Sequence, residues 1–255
     1  MSLVAVAENT HVEPVFAYTS AAVVLGIPLV GRLPSPPHVV HSEDSSRRSA
    51  HGVVRHHMRL EADDVTRYGG FLVTSLARTA IDLIASGTYV SGIVVADHVL
   101  GRVGGRGGVS RDDLRALVAR RRPFRGVRRV DAVLSNATGL ADSALESLLM
   151  ARFDEHGFAR PDQQVEFTRS GGRSALADFY WRDSDVIGEA DGRVKYNDPA
   201  FRGGRSAEQV VWDEKVREDD LRAQCRRFVR FYWEDIWDAH SLRRKLRDAG
   251  VPRSR

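Results

Sequence analysis

Asp178, Glu189 and Asp191 are three carboxylates set on two short apolar runs, Ala177-Asp178-Phe179-Tyr180-Trp181 and Val186-Ile187-Gly188-Glu189-Ala190-Asp191-Gly192. The polar stretch Arg182-Asp183-Ser184-Asp185 separates them, so the segment reads as a β-hairpin. Side chains two apart on a strand share a face, so Glu189 and Asp191 should project together. Carboxylates crowded on one face repel and cost stability unless a cation or a proton neutralises them. A hard divalent ion with oxygen ligands, Mg2+ or Mn2+, is the natural neutraliser. In a basic protein such an ion points to phosphodiester chemistry, where it polarises the scissile phosphate and lowers the pKa of the attacking water.

Each of these residues also has an ordinary reading. Asp178 and Glu189 could be solvated strand positions, and as a pair they are the strongest metal candidates. Asp191 could be a third ligand or orient one, and equally a turn former before Gly192. Glu146 lies in Ser143-Ala144-Leu145-Glu146, a capping box in which its carboxylate returns to the Ser143 backbone N–H.

The chain has 255 residues, net charge +4, 42% hydrophobic and 28% charged residues. That composition is ordinary for a globular protein and long enough for two domains, each with its own core. The basic residues are clustered. Arg120, Arg121, Arg122, Arg125, Arg128 and Arg129 fall within ten positions. Arginine suits bidentate phosphate contacts, so the cluster reads as a DNA-backbone contact or as an exposed linker. Arginine bias of the whole genome would also produce it. The single cysteine, Cys225, excludes a disulfide framework and a cysteine zinc site, and is expected to face the core from a helix. His51, His56 and His57 lack a partner at zinc spacing and read as surface residues. No basic start precedes a long apolar run, and no stretch is long enough to cross a bilayer, so a cytoplasmic protein with no membrane contact is expected.

The elements that must carry these residues follow from the periodicity. Residues 1–15 show none and read as a frayed start. Thr19 or Ser20 caps a short helix ending at Gly26 and Pro28. Strands are expected at His38–His41, Gly52–His57 and Phe71–Val73, then helices at 75–85 and 91–100. A glycine-arginine loop, 101–108, leads to a helix opened by Ser110 and Asp113. Residues 131–134 continue helically, and the first domain, an α+β unit with the arginine-rich linker, closes near residue 137. The second, 138–255, opens with a helix at 143–156. Strands follow at 164–167, 177–181 and 186–192, then a loop at 197–204, a helix at 207–226, the aromatic strand Arg227–Trp233 and a terminal helix at 237–249. Trp233 and Trp237 are expected in core and interface packing. This order indicates an α/β sandwich around a small mixed sheet.

The second half resembles the restriction-endonuclease-like PD-(D/E)XK superfamily, near the very-short-patch repair endonucleases. The residues that carry the likeness are Glu146 on the first helix, Asp178-Phe179, Glu189-Ala190-Asp191-Gly192, Arg217-Glu218-Asp219-Asp220-Leu221 and Val229-Arg230-Phe231. The resemblance implies a Mg2+- or Mn2+-dependent DNA endonuclease in which Asp178 and Glu189 hold the ion, Asp191 assists and Glu146 completes the site. Where the superfamily usually has lysine, this chain has Asp191. Lys195 or Lys215 would then stabilise the pentacovalent phosphate, although both also read as solvated charges and Lys215 as a partner of Asp219. Arg217 and Arg222 would face nucleic acid, with Lys215 and Arg222 on one helix face.

The first half, through 19–28 and 74–83, resembles actinobacterial proteins similar to the AbiEi antitoxin of type IV toxin–antitoxin systems, whose winged helix-turn-helix has no counterpart here. This likeness implies a unit that positions nucleic acid or docks a protein partner, in phage defence or genome maintenance. The other function class to weigh is a non-catalytic DNA-binding regulator with a degenerate nuclease fold.

Overall fold

The computed structural model describes residues 3–8, 12–31, 36–41, 52–101, 108–192 and 206–254. The chain divides into two compact units, Met1–Gly139 and Leu140–Arg255.

The first unit opens with α1 (Leu3–Glu8) and β1 (Val15–Phe16), where the sequence shows no period. β1 has two residues, too few for alternation to register, yet it sits at the centre of a sheet. α2 (Tyr18–Leu25) ends at Gly26, whose φ of 74° is the left-handed cap glycine accepts freely. Neither Thr19 nor Ser20 caps it. The N-cap position is Ala17, and the Ser20 hydroxyl instead accepts the His38 backbone N–H at 2.8 Å. β2 (His38–His41) and β3 (Val54–His57) match the expected strands, and β4 (Val65–Tyr68) is an addition before β5 (Phe71–Thr74). The sheet order is β3-β2-β1-β5-β4, with β1 antiparallel to β2 and parallel to β5.

Four helices follow: α3 (Leu76–Ser86), α4 (Tyr89–Leu100), α5 (Arg111–Arg121) and α6 (Val127–Asn136). Ser75, Thr88 and Ser110 cap the first three through their hydroxyls. Phe16, Val73, Ile81, Ile84, Ile93, Leu114 and Val130 are buried in the core. Most of the loop 101–108 lies outside the described residues.

The second unit is α7 (Ala144–Glu155), β6 (Asp162–Thr168), β7 (Ser174–Trp181), β8 (Val186–Asp191), α8 (Ala207–Arg222), β9 (Arg227–Tyr232), α9 (Trp233–Trp237) and α10 (Ala239–Ala249). The sheet runs β6-β7-β8-β9, with β8 and β9 parallel and the other pairs antiparallel. α7 covers one face: Phe153 meets Phe179, Trp181 and Phe231 at ring separations of 5.4, 5.2 and 5.4 Å. α8 covers the other: Leu221 is buried with Ala175, Ala177 and Ile187. The molecule is mixed α/β, as the sequence order indicates.

Three expectations in this unit need correction. Cys225 lies in the turn after α8, half-buried, because the helix ends at Arg222. The terminal helix begins at Ala239, where the Asp238 carboxylate accepts the N–H groups of His240 and Ser241 at 3.0 Å, and the short helix α9 is an addition before it. Trp233 and Trp237 are 40% and 61% exposed, outside the core. The Arg152 guanidinium lies 5.9 Å from the Trp237 ring centre.

One irregularity shapes the site. Along β7, Ala175 and Ala177 pack towards α8, whereas Phe179 and Trp181 pack on Phe153 of α7. Strict alternation would place all four on one face. The reversal falls at Asp178, which with Gln164 of β6 lies between the register pairs Gln163↔Phe179 and Val165↔Ala177. Gln164 has φ of 53°, the left-handed region that turns a strand over.

Candidate functional site

Where β7, β8 and α8 meet, a cavity of about 500 Å³ is lined by Asp178, Glu189, Asp191, Glu214, Arg217 and Arg230 among others. β8 contributes Glu189 because Gly188, with no side chain, lets the strand sit against Phe231 and Trp181. The Asp178 carboxylate accepts the Ala190 backbone N–H at 2.7 Å, which fixes it on β8 beside Glu189. Glu189 is 5% exposed. Glu146 on α7, 2% exposed, lies behind the cavity.

These carboxylates feel one another. Burial first, and then the charge of Asp178, push both Glu146 and Glu189 up to about 7. Glu146 is held by three donors: the Ser143 hydroxyl at 2.7 Å, the Asp142 backbone N–H at 2.9 Å and the Gln164 amide at 2.9 Å. The expected capping box is therefore modified. Ser143 caps α7, but the Glu146 carboxylate returns to its hydroxyl and to Asp142 rather than to the Ser143 N–H.

Glu189 has a cationic partner. Arg217 on α8 reaches both its oxygens, at 2.5 and 3.4 Å, and also holds Glu214 at 2.9 Å. Burial weakens the Glu189–Asp178 pair as ions, and Arg217 partly offsets this by drawing the Glu189 pKa down. Asp191 does project from the same strand face as Glu189, yet its carboxylate goes to Arg230 at 2.8 Å. Arg230 stands opposite Glu189 in the β8–β9 register and also pairs with Glu218. Among the described residues no group of three His, Cys, Asp or Glu has metal-holding geometry. The expected trio Asp178, Glu189 and Asp191 is thus reduced to a pair, because Arg230 takes the third member.

The expected cations are placed differently too. Lys215 is exposed on α8 and does not line the cavity. Lys195 lies outside the described residues. Arg222 pairs with Glu218 at 2.6 Å and lies over the Phe228 ring, 4.4 Å from its centre. In the first unit Arg120, Arg121 and Arg122 pair with Asp63, Asp64 and Asp131, and Arg129 donates to the Ala85 carbonyl at 2.7 Å. Those four are tied within the unit, at the end of α5 and start of α6 rather than on a linker, while Arg125 and Arg128 are exposed.

His56 is not a plain surface residue. Its Nε2 lies 2.8 Å from Nδ1 of His38, and its ring stacks on Tyr18 at 4.0 Å. Burial, then the neighbouring His38 and His57, lower its pKa to about 4. His51 lies outside the described residues. Sequence reasoning missed the site roles of Gln164, Glu214 and Arg230. A lone arginine inside the apolar strand Phe228-Val229-Arg230-Phe231 was the available signal for Arg230. Gln164 carried none.

The donor set of Asp178 and Glu189 suits a hard ion. Mg2+ is usually held by one or two carboxylates, with water and phosphate oxygens completing its shell. Among the described residues no helix is long and apolar enough to cross a membrane. No protein-family model, curated protein or solved structure matches this chain.

Proposed function

We propose that the second unit is a divalent-metal-dependent phosphodiesterase acting on DNA. The observation that carries this reading is the crowding of Glu146, Asp178 and Glu189, which raises two carboxylates to about 7 beside an open cavity. Such clustering costs stability and is characteristic of functional sites. The order of motifs seen in the sequence supports the same reading.

Asp178 and Glu189 would hold the ion. Bound there, Mg2+ or Mn2+ would supply charge to the scissile phosphate and a more acidic water. Asp178 is oriented by the Ala190 N–H. Glu146, buried and outside the cavity lining, would act on the ion through the charge it sets beside Asp178. Arg217 and Arg230, both lining the cavity and each held by two carboxylates, would bring positive charge near a phosphate in place of the missing lysine.

A second reading rests on one observation. Arg217 already neutralises Glu189 through both of its oxygens, as a degenerate, non-catalytic DNA-binding fold would have it. Titration with Mg2+ and Mn2+ in the presence of plasmid and single-stranded DNA, beside Asp178→Asn and Glu189→Gln, separates the two. Metal-dependent cutting lost in both variants supports the enzyme. Absence of cutting, with no heat of ion binding in calorimetry, leaves the regulator.

A further inference from the structure

We propose that Gln164 is a positioning residue of this site, kept in an unfavourable backbone conformation because its amide is needed to fix Glu146. The inference rests on the metal-site reading above.

Gln164 sits at the point where β7 and β6 turn over, with φ of 53°. A residue with a Cβ is disfavoured there, and long side chains more than Asn or Asp. Glycine would serve the backbone better. If the position existed only to reverse the pleat, glutamine would be a poor choice. What glutamine adds is a donor at the end of a two-methylene arm. That donor lies 2.9 Å from Oε2 of Glu146. Gln164 lines the cavity and Glu146 does not, so Gln164 joins the buried carboxylate to the wall of the space where substrate would lie.

Its contact is also the only one of the three holding Glu146 that crosses from the sheet. Ser143 and Asp142 belong to the start of α7 and would hold the carboxylate to its own helix. Gln164 ties it to the strand pair that bears Asp178, at the same gap in the β6–β7 register. Strain retained beside a cluster of titratable groups, against a better local alternative, is the mark of a functional constraint.

The full chain with Gln164→Gly and, separately, Gln164→Asn tests this. Thermal unfolding is followed by tryptophan fluorescence, and Mn2+ affinity by calorimetry. Gly relieves the backbone, so the midpoint should hold or rise while Mn2+ affinity falls by about 10–100-fold, the usual cost of losing an outer support of a metal site, here one that reaches Asp178 through Glu146. Asn accepts the left-handed conformation but is one methylene short, so its midpoint should match that of Gly, with affinity between Gly and the parent. A Gly variant that binds Mn2+ as tightly as the parent overturns the proposal. So does one that melts well below the parent, since the role would then be structural. Failure of the parent itself to bind Mn2+ defeats the metal-site reading and this inference with it, an outcome distinct from undiminished binding by the variant.

Discussion

Arg217 and Glu189 form a two-oxygen pair between α8 and β8, at 2.5 and 3.4 Å, inside the cavity that also holds Asp178. The guanidinium stands where charge on Glu189 must be compensated, so the site carries its own internal cation. An arriving metal ion and Arg217 therefore compete for the same carboxylate.

Removing the arginine should leave Glu189 buried beside Asp178 without compensation. Arg217→Met is expected to lower stability by about 2–3 kcal/mol, somewhat under the cost of breaking a fully buried pair, because 24% of the Arg217 side chain is exposed. Mn2+ should restore much of that loss by binding the folded state alone. Urea unfolding with and without Mn2+ reads both effects, and an unchanged midpoint in the absence of metal would refute the pair's role.

The two units should respond to pH in opposite directions. Folding raises Glu146 and Glu189 from 4.5 to about 7, so the folded second unit binds more protons than the unfolded chain across that range. The stability these two groups contribute is fully present below about 4.5 and is lost as the pH climbs through 7. Folding lowers His56 from 6.5 to about 4, and lowers His38 too, through burial. The stability these histidines contribute to the first unit is fully present above 6.5 and is lost as the pH falls towards 4. All four tryptophans, Trp181, Trp212, Trp233 and Trp237, belong to the second unit and report on it alone. The proton resonances of His38 and His56 follow the first. Between pH 5 and 8 the tryptophan midpoint should fall while the histidine-monitored one rises, and His56→Asn should flatten the latter. Parallel slopes would contradict the assignment.

Gly188 allows β8 to lie against the aromatic core. A Cβ there would come within 2.9 Å of the Phe231 ring and 3.0 Å of the Trp181 ring. Gly188→Ala should cost about 1–3 kcal/mol through overpacking. Because the strand must shift, Glu189 should move with it and Mn2+ affinity should drop in parallel. Calorimetry and denaturant midpoints that both match the parent would show that the rings yield freely.

Lys215, expected from the sequence to stabilise a phosphate, is exposed and outside the cavity. Lys215→Ala should cut DNA within about twofold of the parent, under about 0.5 kcal/mol in barrier height. A hundredfold slower initial rate on plasmid would show that the lysine reaches the site after all.

The sequence by itself determined most of the helices and strands and which segments carry the carboxylates. Ser75, Ser110 and Ser143 mark helix starts by a chemistry local to a few residues, and the apolar runs of β7 and β8 and the aromatic run of β9 mark strands at once. Asp178 and Glu189 were legible because a charge inside an apolar run is conspicuous without any partner in view.

Only the tertiary structure decided how those charges are shared. Arg217 is 28 positions from Glu189, Arg230 is 39 from Asp191 and Gln164 is 18 from Glu146, and each pairing depends on strand register and helix placement. The two-residue strand β1 and the His38–His56 pair escaped for the same reason, since both exist only where distant segments meet. Periodicity reports which face a side chain takes. It carries no information on what stands across from it, and at this site that neighbour sets the charge, the protonation and the room left for an ion.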